Sequence, residues 1–129
     1  MKVWVNCIVY NEENFIWFAI NSIIDFVDKI IVWDTGSQDL TVKIIEEIKK
    51  KYPEKIEFKE VGKVSGNSYT KIRQQMLEIS KCDWVLILDG DEIWFEDSIK
   101  KVTFSGSSPA AILSAVTSAT FWRTFSGLS

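Results

Sequence analysis

Trp84-Val85-Leu86-Ile87-Leu88-Asp89-Gly90-Asp91-Glu92 decides how the rest of this chain is read. Five apolar residues in a row mark a strand covered on both faces, which is the habit of parallel sheets. The acids that follow stand where such a strand ends, and in α/β sheets ligands bind in the crevice at that edge. Upstream, strand and helix signals alternate. Residues 2–10 are rich in β-branched and aromatic side chains and end in Asn11-Glu12-Glu13-Asn14. A helix follows, with Ile16, Ile20, Ile23 and Val27 on one stripe. Residues 29–34 form a second strand that runs into Thr35-Gly36-Ser37. The next helix starts near Asp39 as its N-cap and buries Ile44, Ile45 and Ile48. It closes with Lys49, Lys50 and Lys51 before Pro53. Residues 56–61 are the third strand. The third helix follows Ser68, with Tyr69, Ile72, Met76 and Ile79 as its apolar stripe. Strands 2–10, 29–34, 56–61 and 83–89 with three intervening helices predict a parallel sheet in a Rossmann-like three-layer α/β/α fold.

Composition bounds the chemistry. The chain has 129 residues, which suits one domain, with 47% apolar and 26% charged side chains. The net charge of −3 argues against a nucleic-acid partner held by bulk charge. Histidine is absent, which removes Ser-His-Asp and Cys-His catalysis and His-ligated zinc. A bound metal would need oxygen ligands, as Mn²⁺ or Mg²⁺ does. Cys7 and Cys82 read as small buried hydrophobes of a reduced, cytoplasmic protein. The uncharged stretch from Phe104 to Trp122 carries many Ser, Thr, Ala and Gly residues plus Pro109, which speaks against a membrane span. Attachment to the inner face of a membrane has little support. Composition shifts after residue 102, so 1–102 is read as the core. Residues 103–129 form a Ser/Thr/Ala-rich tail that packs as an edge element, dangles, or marks where a longer domain is cut.

The strand-end loops hold Glu12, Glu13, Asp34, Asp39, Asp89, Asp91 and Glu92. Carboxylates crowded at one edge repel unless a cation neutralises them. Asp89 and Asp91 can reach one metal or its bound waters, and Gly90 leaves room for a ligand to approach the backbone. A solvated turn is the bland alternative. For Asp34 the alternatives are an Asx turn and a hydrogen bond from a nucleobase N–H or ribose hydroxyl. Arg73, off the apolar stripe of its helix, is either an exposed cation or a diphosphate contact, with Lys71 nearby. Trp4, Trp17, Trp33 and Trp84 read as core, and Trp94 as a sugar or base platform.

Tyr10-Asn11-Glu12-Glu13, Ile31 to Thr41, Arg73 to Leu77 and Asp83 to Glu92 together resemble family 2 glycosyltransferases of GT-A fold. Those enzymes show NE, VDDGSxDxT (less often VDTGSxDxT), ARNxGL and dWvlflDaDe in this order. The resemblance covers about residues 2–101 and, with the alternating pattern, implies the strand order 3-2-1-4. It implies that Tyr10, Asn11 and Glu12 border the nucleobase and ribose and that Asp34 binds the base. Arg73 would contact the nucleotide, Asp89 ribose or sugar hydroxyls, and Asp91 the metal that bridges the diphosphate. The implied donor is a nucleoside-diphospho-sugar, UDP-linked in the first instance, with a glycan, lipid or peptide acceptor. Thr35, Gln74 and Met76 depart from the family pattern. So does the lack of any Asp or Glu after residue 102, since the family's catalytic base lies downstream of DxD. No general base is therefore assigned. A donor-binding domain without transferase activity is the alternative. A DxD aspartyl phosphatase fits less well, because it expects the motif on the first strand and Thr or Val where Ile93 stands.

Overall fold

The computed structural model describes residues 2–90 and the backbone of residues 120–123. Four strands, β1 (Val3–Val9), β2 (Lys29–Asp34), β3 (Ile56–Glu60) and β4 (Trp84–Asp89), lie parallel in the order β3-β2-β1-β4. Helices α1 (Ile16–Ile23), α2 (Thr41–Lys51) and α3 (Ser68–Ile79) connect them. The expected sheet is present strand for strand, with no end shifted by more than one residue. A further strand, β5 (Thr120–Arg123), pairs antiparallel with β4, Ile87 facing Thr120 and Trp84 facing Arg123. These four residues of the tail thus form the sheet edge beside β4. Trp94 lies outside the described residues, as do Glu96–Lys101, which the sequence reads as a short helix.

The period-two pleat sends alternate side chains to opposite faces. Val3, Val5, Cys7 and Val9 of β1 join Ile30 and Val32 of β2 and Leu86 and Leu88 of β4 on one face. There they meet Ile16, Ala19, Ile20 and Ile23 of α1 and Ile45 and Ile48 of α2. On the opposite face Ile31 and Trp33 meet Ile72 and Met76 of α3, with Trp4 and Ile8 packed alongside. Burying each such isoleucine stabilises the fold by roughly 1.5–3 kcal/mol. Helices therefore cover both faces, and the strand-end loops alone remain open along the carboxyl edge. Cys7 and Cys82 are buried and form no disulfide. Among the described residues no helix is long and apolar enough to cross a membrane.

Several local expectations are corrected. α1 ends at Ile23, so Val27 is buried from the turn beyond it. Trp17 is 43% exposed, because it falls beside the stripe of Ile16, Ile20 and Ile23 rather than on it. Tyr69 and Ile79, at the two ends of α3, are exposed, leaving Ile72 and Met76 as the buried face. Ile44 is only half-buried. α2 begins at Thr41 with Leu40 in the cap position, one residue later than an Asp39 cap requires.

Candidate functional site

Four loops meet the carboxyl edge, and the first two are laced together. The loop after β1 places Asn11 at φ 50°, a left-handed conformation that Asn tolerates better than most residues. From there the Asn11 amide donates to the Ser37 hydroxyl (2.8 Å), and the Gln38 amide donates to Asn11 Oδ1 (2.9 Å). The Glu12 amide donates to Thr41 Oγ1 (2.8 Å), the Glu13 amide to Asp39 Oδ2 (3.2 Å), and the Leu40 amide to Glu13 Oε2 (3.0 Å). One residue upstream of Tyr10, the Val9 carbonyl accepts both the amide and the hydroxyl of Thr35.

This lacing changes the reading of several acids. The Glu13 carboxylate accepts an amide hydrogen bond from the loop after β2. Asp39 accepts from the Thr41 amide and hydroxyl as well as from Glu13. Burial opposes ionisation of Asp39. The Thr41 hydroxyl and the Thr41 and Glu13 amides outweigh it and hold the carboxyl below its ordinary value. Gly90 gives no room to a ligand, contrary to expectation. A Cβ there would stand 2.9 Å from Glu12 Cγ and 3.1 Å from Val9 Cγ1, so the loop after β1 already fills the space.

Asp34 combines the two readings proposed for it. The residue is 1% exposed, and its Oδ2 accepts the amides of Gly36 (3.0 Å) and Ser37 (2.9 Å), the Asx turn. Gly36 adopts φ +93°, which only glycine takes without strain, and its α-carbon faces the Lys63 backbone of the third loop. The other oxygen, Oδ1, is buried without a hydrogen-bond partner among the described residues. A buried acceptor left unpaired costs roughly 1–3 kcal/mol, so it is a place for an incoming donor.

Beside this turn opens a cavity of about 480 Å³, walled by Tyr10, Thr35, Lys63, Val64, Ser65 and Tyr69. Tyr10 and Tyr69 are 45% and 38% exposed, and Lys63 is exposed. Lys63, Val64 and Ser65 escaped the sequence reading because the third loop carries no acid and matches no motif. Tyr69 was misread as core because its spacing fits the buried stripe. Arg73 does not join this wall. It borders a shallow depression with Asn6, Met76, Leu77 and Ile87, over the β1–β4 side of the sheet. Asp89 is exposed at the end of β4. Asp91 and Glu92 lie outside the described residues. Among the described residues no three carboxylates or thiols converge as a metal site.

Comparison with known proteins places the arrangement. The chain matches glycosyl transferase family 2 over residues 5–118. The SPbeta prophage-derived glycosyltransferase SunS of Bacillus subtilis is 33% identical over 96 residues, covering 74% of this chain and 21% of SunS. The 1–349 chain of S. aureus TarS superposes with a TM-score of 0.58 at 30% identity, over 78% of this chain and 30% of that one. Glucosyl-3-phosphoglycerate synthase of Mycobacterium tuberculosis, in complex with UDP, superposes with a TM-score of 0.51 at 25% identity, over 71% and 34% of the two chains. The chain thus spans between a fifth and a third of the length of these proteins, the part that carries the parallel sheet and its carboxyl edge. The chain belongs to glycosyl transferase family 2.

Proposed function

We propose that this chain is the donor-binding part of an inverting glycosyltransferase that takes a nucleoside-diphospho-sugar, with UDP as the nucleotide. The carrying observation is Asp34 Oδ1, buried and unpaired directly before Thr35, which walls the cavity. A uracil N3–H is a donor of the right kind to satisfy it. Tyr10 offers an exposed aromatic face for the base from the neighbouring loop. The likeness to a synthase in complex with UDP is in line with uracil as the base. Asn11 and Glu12 border the base through backbone placement, since Asn11 Oδ1 is taken by Gln38 and the Glu12 side chain lies against Gly90.

The diphosphate would extend toward β4, where Asp89 meets ribose or sugar hydroxyls and Asp91 holds a divalent cation, Mn²⁺ or Mg²⁺, with Asp89 assisting. The donor set fits: carboxylate oxygens are hard ligands, and Asp89 stands exposed at the strand end with Asp91 two residues on. When bound, the cation neutralises the diphosphate and so eases its departure from the sugar. Arg73 would add positive charge on the β4 side of the nucleotide. Residues 1–102 serve as this donor core, and the acceptor, whether glycan, lipid or peptide, is bound elsewhere.

Isothermal titration of UDP, GDP and dTDP with and without Mn²⁺ tests the reading. UDP binding that requires Mn²⁺ is expected, and equal affinity for all three nucleotides would remove uracil recognition. A second reading, donor binding without transfer, draws on the absence of Asp and Glu from residues 103–129. UDP-sugar turnover by this chain would exclude it.

A further inference from the structure

We propose that Glu13 and Asp39 are positioning residues that clasp the loop after β1 to the loop after β2 and so preset Tyr10 beside Thr35 in the wall of the nucleotide cavity. The clasp is reciprocal. Glu13 gives its amide to Asp39 Oδ2 and receives the Leu40 amide on Oε2, so each loop supplies one carboxylate and one backbone donor to the other. Tyr10 sits between two anchors. Val9 before it is held by Thr35, and Asn11 after it is held by Ser37 and Gln38. The backbone at Tyr10 therefore cannot move without breaking bonds on one side or the other.

Tyr10 and Thr35 belong to different strand-end loops, yet they line one cavity. Loops released from each other would need ordering at the moment of binding, and that cost would come out of affinity. Glu13 and Asp39 touch neither the cavity nor a metal site on this account. They act through Tyr10.

The proposal rests on the donor-site reading, and the test separates the two. Glu13→Ala removes the acceptor of the Leu40 amide, whereas Glu13→Gln keeps an oxygen there. Because Glu13 is exposed, both variants are expected to melt within about 2 °C of wild type. With UDP and Mn²⁺ in titration calorimetry, Glu13→Ala should bind about tenfold more weakly, and Glu13→Gln should stay within about threefold of wild type. Wild-type affinity in Glu13→Ala overturns the clasp, as does a Glu13→Gln variant as weak as the alanine, which would make the charge itself the point. Amide hydrogen exchange without nucleotide supplies a readout independent of the donor. Glu13→Ala should accelerate exchange at Gln38 as well as at Leu40, and unchanged exchange at Gln38 overturns the proposal even if no UDP binds.

Discussion

The side chain of Glu12 occupies the space that a β-carbon on Gly90 would need, at 2.9 Å from Glu12 Cγ and 3.3 Å from Glu12 Cβ. The first and fourth strand-end loops are therefore packed against each other through a missing side chain. Val9 Cγ1 closes the same space at 3.1 Å from a side where the strand cannot yield. The carboxyl edge is thus a joined surface. The loops after β1 and β2 share hydrogen bonds, and those after β1 and β4 share a van der Waals contact.

Gly90→Ala is expected to destabilise the chain by about 1–3 kcal/mol, the cost of overpacking against the Glu12 and Val9 side chains. Thermal melting of Gly90→Ala, Glu12→Ala and the double variant checks it. The double variant should recover part of the loss, because the nearest atom is gone, with a coupling of about 0.5 kcal/mol or more.

Asp34→Asn should separate folding from binding. One amide oxygen can still accept the Gly36 and Ser37 amides, so the turn is kept. The NH₂ group then takes the place of unpaired Oδ1 and meets an incoming N–H with another donor. UDP affinity should fall by about 1–3 kcal/mol while the melting temperature stays near that of wild type. An Asp34→Asn variant that binds UDP normally would take Asp34 out of base recognition.

Asp39 predicts a pH signature. Its folded carboxyl titrates below its ordinary value of 3.8, so it contributes stability that is present above that value and is lost as pH falls through the folded pKa. The stability difference between wild type and Asp39→Asn should be constant at neutral pH and narrow as pH falls below 3.8. Urea melts of the two proteins across that range measure it. A difference that stays flat would mean that the amides around Asp39 do not favour its charged form.

Metal dependence follows from charge at the edge. A diphosphate brought near Asp89 and Asp91 meets like charges that repel by about 4 kcal/mol per pair at 4 Å and an effective dielectric near 20. Chelating divalent metal should therefore abolish UDP binding, and Asp91→Asn should weaken it and flatten its Mn²⁺ dependence. Asp89→Asn should weaken binding less. Undiminished affinity in chelator would leave Asp89 and Asp91 as a solvated turn.

The parallel sheet was legible in the sequence because the signals that specify its elements are local, and the strand order came with the family resemblance. An unbroken apolar run at Trp84–Leu88 must be covered on both faces, and the stripe of Ile16, Ile20 and Ile23 has to find a sheet to lie on. Chain order then leaves few ways to connect four parallel strands, and the loops bearing Asp34 and Asp89 fall on one edge. The use of each acid was not legible. Glu13 reads as one of the crowded edge acids and Asp39 as a helix cap, but each carboxylate also meets a backbone amide 26 or 27 positions away, reached only once β1 and β2 pair in register. Gly90 looked like an opening for a ligand and is the contact point for Glu12, because what stands over a glycine depends on which loop the fold brings there. Tyr69 carried the spacing of a core residue and stands in a cavity wall, because the stripe of α3 is buried only at Ile72 and Met76. Periodicity reports which face of an element is apolar. Only tertiary pairing decides how far that face is covered and which distant backbone group a carboxylate meets.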